Sequence, residues 1–271
     1  MANYKLLVID LDCTLVNRQG EISDADKQAL ADAADSGVKV ALASGRIVLA
    51  CHRIIDLLSL DGHHIFFDGA VVSDPHYQKE IYSRPLEPEV VKKAVDVSRK
   101  NDTYLELYSP DKFFAERENW SDVIHRRFFK VGPTFVDFDD IWQKEKIVKA
   151  ELVVRDEEEA AKAAAFRSEF DGNLRFSVAR APAYPGIDFV NIVHPQVSKG
   201  EALKALAAHS GISLDEVIAI GDGLNDISML EVAGTAVAMG NAFPEVKAVV
   251  DHITLDVDES GVAAAVEKFV L

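Results

Sequence analysis

The chain has 271 residues, 48% hydrophobic and 27% charged, and its 45 acids against 29 lysines and arginines give a net charge of −16. These values exclude a disordered tail, a fibrous repeat and a disulfide-stapled miniature, and so acidic a chain is a poor match for nucleic acid or an anionic membrane. Cys13 and Cys51 lie in no CxxC pattern, no apolar run approaches the roughly 20 residues of a membrane span, and aspartates come too early for a secretory signal, so the expectation is a cytoplasmic protein.

Residues 5–12 form a short apolar run ending in acids, the mark of a strand buried on both faces. A helix over 25–35 follows, with Ser23 as its N-cap and Gly37 at its end. The second strand, 38–43, closes on Ser44-Gly45-Arg46; a helix over about 47–58, a strand at 65–67 and the turn Asp68-Gly69 come next. His63-His64 reads as a surface loop. Strand alternating with helix predicts a parallel sheet with crossover helices, a Rossmann-like core. The middle of the chain has another rhythm: helix 88–100, strands 104–108 and 113–116, helix 121–129, strand 148–154, helix 156–170, and strands 174–179 and 187–193. Adjacent strands joined by short turns imply an antiparallel sheet with helices on one face. The first rhythm then returns with an amphipathic helix over 199–208, a buried strand at 217–220 ending in Gly221-Asp222, a helix over 226–232, and strands at 235–239 and 252–255. The fold expected is α/β, with a core at 1–84 and 194–271 and an α+β domain inserted at 85–193.

In an open α/β sheet, functional groups gather at the carboxyl ends of the strands. Here Asp10 and Asp12, Ser44, Asp68 and Asp222 all occupy such ends. Asp10-Leu11-Asp12-Cys13-Thr14 is the most specific signal. Where a strand is ending, the second acid can swing into the turn and reach a substrate from another side. Two carboxylates so placed offer a nucleophile and a proton shuttle, or else a turn in which Asp12 bonds the local backbone.

With three further segments this run resembles the haloacid dehalogenase superfamily of phosphatases, whose first motif is DxDx[TV]. The second motif is Ser44, the third Lys199 in Val197-Ser198-Lys199-Gly200, and the fourth Gly221-Asp222-Gly223-Leu224-Asn225-Asp226, followed by Val237-Ala238-Met239-Gly240-Asn241-Ala242 as in the Cof-type branch. The resemblance covers nearly the whole chain and makes the inserted domain a cap. It implies Asp10 as a nucleophile forming an aspartyl-phosphate and Asp12 as general acid, then base. It also implies Mg2+ on Asp10, the Asp12 carbonyl and Asp222, with Asp226 as ligand or behind one, and phosphoryl oxygens held by Ser44, Lys199 and Asn225. Charge supports the metal separately. Asp10, Asp12, Asp222 and Asp226 set four negative charges against Lys199, and like charges 4 Å apart repel by about 4 kcal/mol at an effective dielectric near 20. A phosphate dianion therefore needs a divalent cation, and hard oxygen donors favour Mg2+ over Zn2+.

Two positions depart from the family pattern: Cys13 stands where most members have Gly, and Asp68-Gly69-Ala70 replaces the usual Asn-Gly-Ala. In the cap, His125-Arg126-Arg127 is the densest group of potential cations, placed to meet a second anionic group of a substrate or to form a solvated helix face. Arg46 either reaches substrate or pairs with a neighbouring acid, and Arg180 and Tyr184 are further cap candidates. The expected activity is Mg2+-dependent hydrolysis of small phosphate monoesters such as sugar phosphates, with a phosphorylated metabolite as partner. The alternatives are mutase-like transfer to another alcohol and a silent ligand-binding protein. No motif specifies an oligomeric state.

Overall fold

The computed structural model describes residues 4–76, 79–129, 132–170, 172–179 and 184–271, without the side chains of Phe128 and Phe129. The chain begins β1 (Leu6–Ile9), α1 (Asp24–Asp35), β2 (Lys39–Leu42), α2 (Val48–Leu57), β3 (His64–Phe66), β4 (Val71–Asp74) and β5 (Lys79–Ser83). It continues α3 (Pro88–Lys100), β6 (Glu106–Tyr108), β7 (Phe113–Ala115), α4 (Ser121–Phe129), β8 (Thr134–Phe135), β9 (Lys149–Val154), α5 (Glu157–Ser168), β10 (Arg175–Ala179) and β11 (Asp188–Val193). It ends α6 (Lys199–Ser210), β12 (Val217–Gly221), α7 (Ile227–Leu230), β13 (Thr235–Ala238), α8 (Pro244–Lys247), β14 (His252–Ile253) and α9 (Gly261–Phe269). Two units result: Met1–Ile47, Cys51–Ser83 and Ser198–Leu271 form one, Val48–Ala50 and Arg84–Val197 the other.

In the first unit β14-β13-β12-β1-β2 make a parallel sheet. β1 and β12 are buried along their whole length, as unbroken apolar strands covered on both faces must be. Ser23 caps α1 by accepting from the Asp26 N–H at 3.0 Å, which satisfies one of the four free donors at a helix start. The buried Asp26 carboxylate accepts from the Ser23 hydroxyl at 2.7 Å and from the Ala263 N–H at 2.8 Å. It thereby ties α1 to α9, a helix the sequence reading did not include.

β3 departs from expectation. Its backbone pairing with the parallel sheet is an isolated bridge, Ala43 to Ile65; its ladder is antiparallel to β4, which pairs in turn with β5. This hairpin was not anticipated because Val71 and Val72 follow the Asp68-Gly69 turn too closely to register as a separate strand. His64 is correspondingly not a surface residue. It is fully buried in β3, and its Nδ1 accepts from the Leu42 N–H at 3.1 Å. Pairing with β4 encloses its face of the strand.

The second unit holds a six-stranded sheet ordered β10-β11-β9-β6-β7-β8, antiparallel except where β8 runs parallel to β7. Alternation along β6 and β9 sends Leu107, Ala150 and Leu152 into a core with Val91 and Val95 of α3 and Phe166 of α5, as the period of two requires. Glu106, Tyr108, Lys149 and Glu151 point the other way and are nevertheless buried. His125 of α4 packs against them, so helices lie on both faces of this sheet rather than on one.

Burial lowers the His64 imidazole to about 4. A histidine depressed from about 6.5 leaves stability intact above 6.5 and takes it away as pH falls toward 4, by roughly 3 kcal/mol in all. Denaturant titrations of wild type and His64→Gln between pH 7 and 4 are expected to show a shallower acid loss in the variant, whose amide can still accept from Leu42.

Candidate active site

The parallel register sets the site. Ile9 is paired with Leu42 on one side and Ile220 on the other, so Asp10, Ser44 and Asp222 leave the same sheet edge. The Asp10 N–H donates to the Ile220 carbonyl at 3.0 Å, fixing the start of the turn. Lys199 comes from the first turn of α6, whose N-cap Ser198 accepts from the Glu201 N–H at 3.1 Å. Its ammonium is fully buried and donates to Asp10 Oδ1 at 2.5 Å and Asp226 Oδ1 at 2.6 Å. Burial alone would lower this lysine, but Asp10 and Asp226 together hold it above its ordinary range.

Asp226 has both oxygens engaged, since Oδ2 accepts from the Asp222 and Gly223 N–H groups at 3.0 and 2.9 Å. It holds the lysine and shapes the turn that carries Asp222. One Asp222 oxygen accepts from the Thr14 hydroxyl at 2.8 Å. Burial pushes Asp222 up to about 6, against the effect of that hydrogen bond. Burial and the Asp226 charge push Asp10 well above the carboxylate range, despite Lys199. Burial is the larger cause of both upward shifts, and the neighbouring Asp226 carboxylate adds to each. Asp10, Asp222 and Asp226 offer carboxylate oxygens within 4.8 Å of one another. An all-oxygen, electron-rich donor set of this kind fits a hard divalent cation.

Asp12 lies in the turn after β1 with its side chain 59% exposed, and Arg46 grips it from two points, Nε to Oδ2 at 3.0 Å and Nη2 to Oδ1 at 2.5 Å. Of the two readings for Arg46, the structure has the pairing with an acid. Asn225 donates from Nδ2 to Asp68 Oδ1 at 2.8 Å. Cys13 has φ 64°, a left-handed conformation costly to side chains with a Cβ. A glycine here would adopt the same conformation without that cost. Its carbonyl accepts from Asn241 Nδ2 at 2.7 Å. Thr14 and Asn241 are the two supporting residues to which the sequence reading gave no role, although both lie inside the quoted motifs.

The cap cluster does not hold together. Arg126 and Arg127 are exposed, while His125 is buried with Nδ1 3.2 Å from Glu106 and Nε2 3.6 Å from Glu151. Lys149 sits 2.5 Å from Glu151, and the Tyr108 hydroxyl donates to Glu106 at 2.6 Å. Burial works against the imidazolium, but Glu106 and Glu151 raise it. Two buried carboxylates thus face the Lys149 ammonium and the His125 ring, and the histidine is enclosed rather than part of a solvated helix face. Tyr184 is half-buried outside any strand or helix, and Arg180 lies outside the described residues.

A family model described as haloacid dehalogenase-like hydrolase matches residues 7–266. The chain belongs to the haloacid dehalogenase-like hydrolases. Over 97% of both chains it is 29% identical to the 5-amino-6-(5-phospho-D-ribitylamino)uracil phosphatase YwtE of Bacillus subtilis (strain 168). Among solved structures, a haloacid dehalogenase-like hydrolase from Bacteroides thetaiotaomicron is 31% identical with TM-score 0.83, covering 98% of this chain and 99% of that one. A subclass IIB sugar phosphatase of the superfamily is 26% identical with TM-score 0.77 over 98% of each chain. This haloacid dehalogenase-like hydrolase is a phosphatase, as YwtE and the subclass IIB sugar phosphatase are by name, and it has the cap type of the Cof branch.

Two outcomes follow from the site and the cap. Relief of the left-handed strain at position 13 makes Cys13→Gly at least as stable as wild type, by up to about 1 kcal/mol, whereas Cys13→Val, stiff at its branched carbon, is less stable; melting temperatures check the order. Removing the His125 ring from beside the buried Glu106 and Glu151 carboxylates in His125→Leu is expected to cost roughly 1–3 kcal/mol, the worth of a buried polar group left without its partner, against less than about 0.5 for the exposed Arg126→Ala, measured by denaturant unfolding.

Proposed function

We propose that the protein hydrolyses small phosphate monoesters with Mg2+, through a phosphoryl group carried on Asp10. The observation that carries this reading is the buried Lys199 ammonium bonded to one Asp10 oxygen and to Asp226. It fixes the Asp10 carboxylate at the strand end with its second oxygen directed by that contact. Asp10 attacks phosphorus, and the departing alkoxide takes a proton from Asp12. Asp12, held at the mouth of the site by Arg46, then takes a proton from the water that attacks the phosphoaspartate, and inorganic phosphate leaves. Ser44, Asn225 and Lys199 hold the phosphoryl oxygens. Asp10, Asp222 and the Asp12 carbonyl hold the Mg2+, with Asp226 behind them as the residue that positions Lys199. When bound, Mg2+ neutralises charge on the phosphoryl oxygens in the transition state.

The substrate class proposed is a phosphate ester of a polyhydroxylated carbon chain. One structural relative is named a sugar phosphatase and a sequence relative acts on a phosphorylated ribityl compound; the two share that chemistry. Nucleic acid and membrane have no part in this reading, and the unpaired Cys13 and Cys51 accord with a cytoplasmic setting.

Phosphate release from a panel of sugar and polyol phosphates tests it. Chelation should stop turnover and Mg2+ restore it. Asp10→Asn should be inactive, because an amide does not attack phosphorus. Asp12→Asn should lose about 10²–10⁴ in rate, the usual worth of a positioned acid/base. Near wild-type turnover by repurified Asp10→Asn would sink the nucleophile assignment.

A further inference from the structure

Asp68 follows β3 in a turn of unusual backbone. Phe67, Asp68 and Gly69 all have positive φ, at 53°, 55° and 100°. For a bulky residue such as Phe67 this is a costly conformation, and the surroundings hold it there. The Phe67 N–H donates to the Arg46 carbonyl and the Asp68 N–H to the Ser44 carbonyl, each at 3.1 Å. Gly69 is pressed so close to α6 that a Cβ there would lie 2.2 Å from the Ser198 carbonyl oxygen. The turn is therefore fixed both to the Ser44 loop and to the start of the helix that carries Lys199.

Its side chain enters the same corner. Asp68 Oδ1 accepts from Asn225 Nδ2 at 2.8 Å, and a Cβ on Gly45 would meet that oxygen at 2.9 Å. Glycine at 45 is what gives the carboxylate its room. Asp68 also contributes to the upward shift of Lys199, after Asp10 and Asp226. The carboxylate is thus set among Ser44, Asn225 and Lys199, the three groups that the preceding reading assigns to the phosphoryl oxygens. Five carboxylates, Asp10, Asp12, Asp68, Asp222 and Asp226, share this end of the sheet with Lys199 and Arg46, and Arg46 is bonded to Asp12.

We propose that Asp68 sets the affinity of the site for phosphate: its carboxylate, placed at the phosphoryl-binding corner, weakens the hold on the phosphate dianion and so favours release of the product. The proposal rests on the assignment of Ser44, Asn225 and Lys199 to the phosphoryl group. Asparagine at 68 isolates the charge, because it tolerates a left-handed φ and keeps an oxygen that can accept from Asn225. Alanine removes both the charge and the acceptor. A carboxylate acting through its field acts less in high salt, whereas one acting only by orienting Asn225 does not.

The experiment is calorimetric titration of inorganic phosphate into the Mg2+-loaded full chain, for wild type, Asp68→Asn, Asp68→Ala and Ser44→Ala, alongside turnover of an aryl phosphate. Asp68→Asn is expected to bind phosphate about tenfold more tightly than wild type at low salt. The gain should narrow in 1 M salt, and product inhibition of aryl phosphate turnover should strengthen in parallel. Asp68→Ala should also bind more tightly, and Ser44→Ala more weakly. Phosphate affinity unchanged within about twofold in Asp68→Asn, or weakened in both Asp68 variants, would overturn the proposal. Absence of turnover in wild type would instead overturn the phosphatase mechanism, while the binding arm would still decide the role of Asp68.

Discussion

Lys199 carries the site. A lysine ammonium with no solvent exposure is tolerable only where carboxylates surround it, and here Asp10 and Asp226 do so at 2.5 and 2.6 Å. The pairings join β1, the first turn of α6 and the loop after β12, three segments far apart in sequence. Asp226 spends its other oxygen on the backbone of Asp222 and Gly223. One ion cluster therefore fixes Asp10, Lys199 and the turn carrying Asp222, the groups to which the proposed mechanism gives the nucleophile, a phosphate-binding cation and a metal-binding carboxylate. Asp10, Asp222 and Asp226 bring carboxylate oxygens within 4.8 Å of one another at this corner, a donor set that fits a hard divalent cation.

Around that cluster the chain accepts unfavourable backbone. Cys13 and the Phe67-Asp68 pair lie in the left-handed region, each at a cost of about 1–2 kcal/mol. All three adjoin strand ends at the site, where such strain persists because neighbours over-determine it. The Cys13 segment is held by the Cys13 N–H to the Val16 carbonyl and by Asn241 on the Cys13 carbonyl. The Phe67-Asp68 turn is held by its bonds to the Ser44 and Arg46 carbonyls.

The second unit solves a similar charge problem for another end. Glu106 and Glu151 are buried on the sheet face opposite the apolar core, where the Lys149 ammonium and the His125 ring lie against them. Its donor atoms have the proximity of a metal site, but the ammonium of Lys149 already occupies the cation's role beside Glu151. The polar face is thus built as a closed ion cluster in the second unit, with the exposed Arg126 and Arg127 left outside it.

The sequence by itself determined the alternation of strand and helix, the two-part organisation and the core motifs, because buried parallel strands must be unbroken apolar runs and their carboxyl ends must carry the polar chemistry. α3 and α4 were legible to the residue, with Pro88 marking the start of the first. The β4–β5 hairpin and α9 were not, because short apolar segments acquire identity only from the partner they pair with. The fate of single polar side chains was least legible. His64 and His125 carry no local sign of burial; pairing with β4 and the two glutamates of β6 and β9 supply it. Arg46 had two partners open to it in the sequence, and the turn at Asp12 decided between them. Asp68 resembled an ordinary turn residue until Gly45, Asn225 and Lys199 were brought around it from three distant segments. Periodicity and capping are local and can be read along the chain, whereas the partner of a charge is chosen by register and packing, which exist only once the strands have paired.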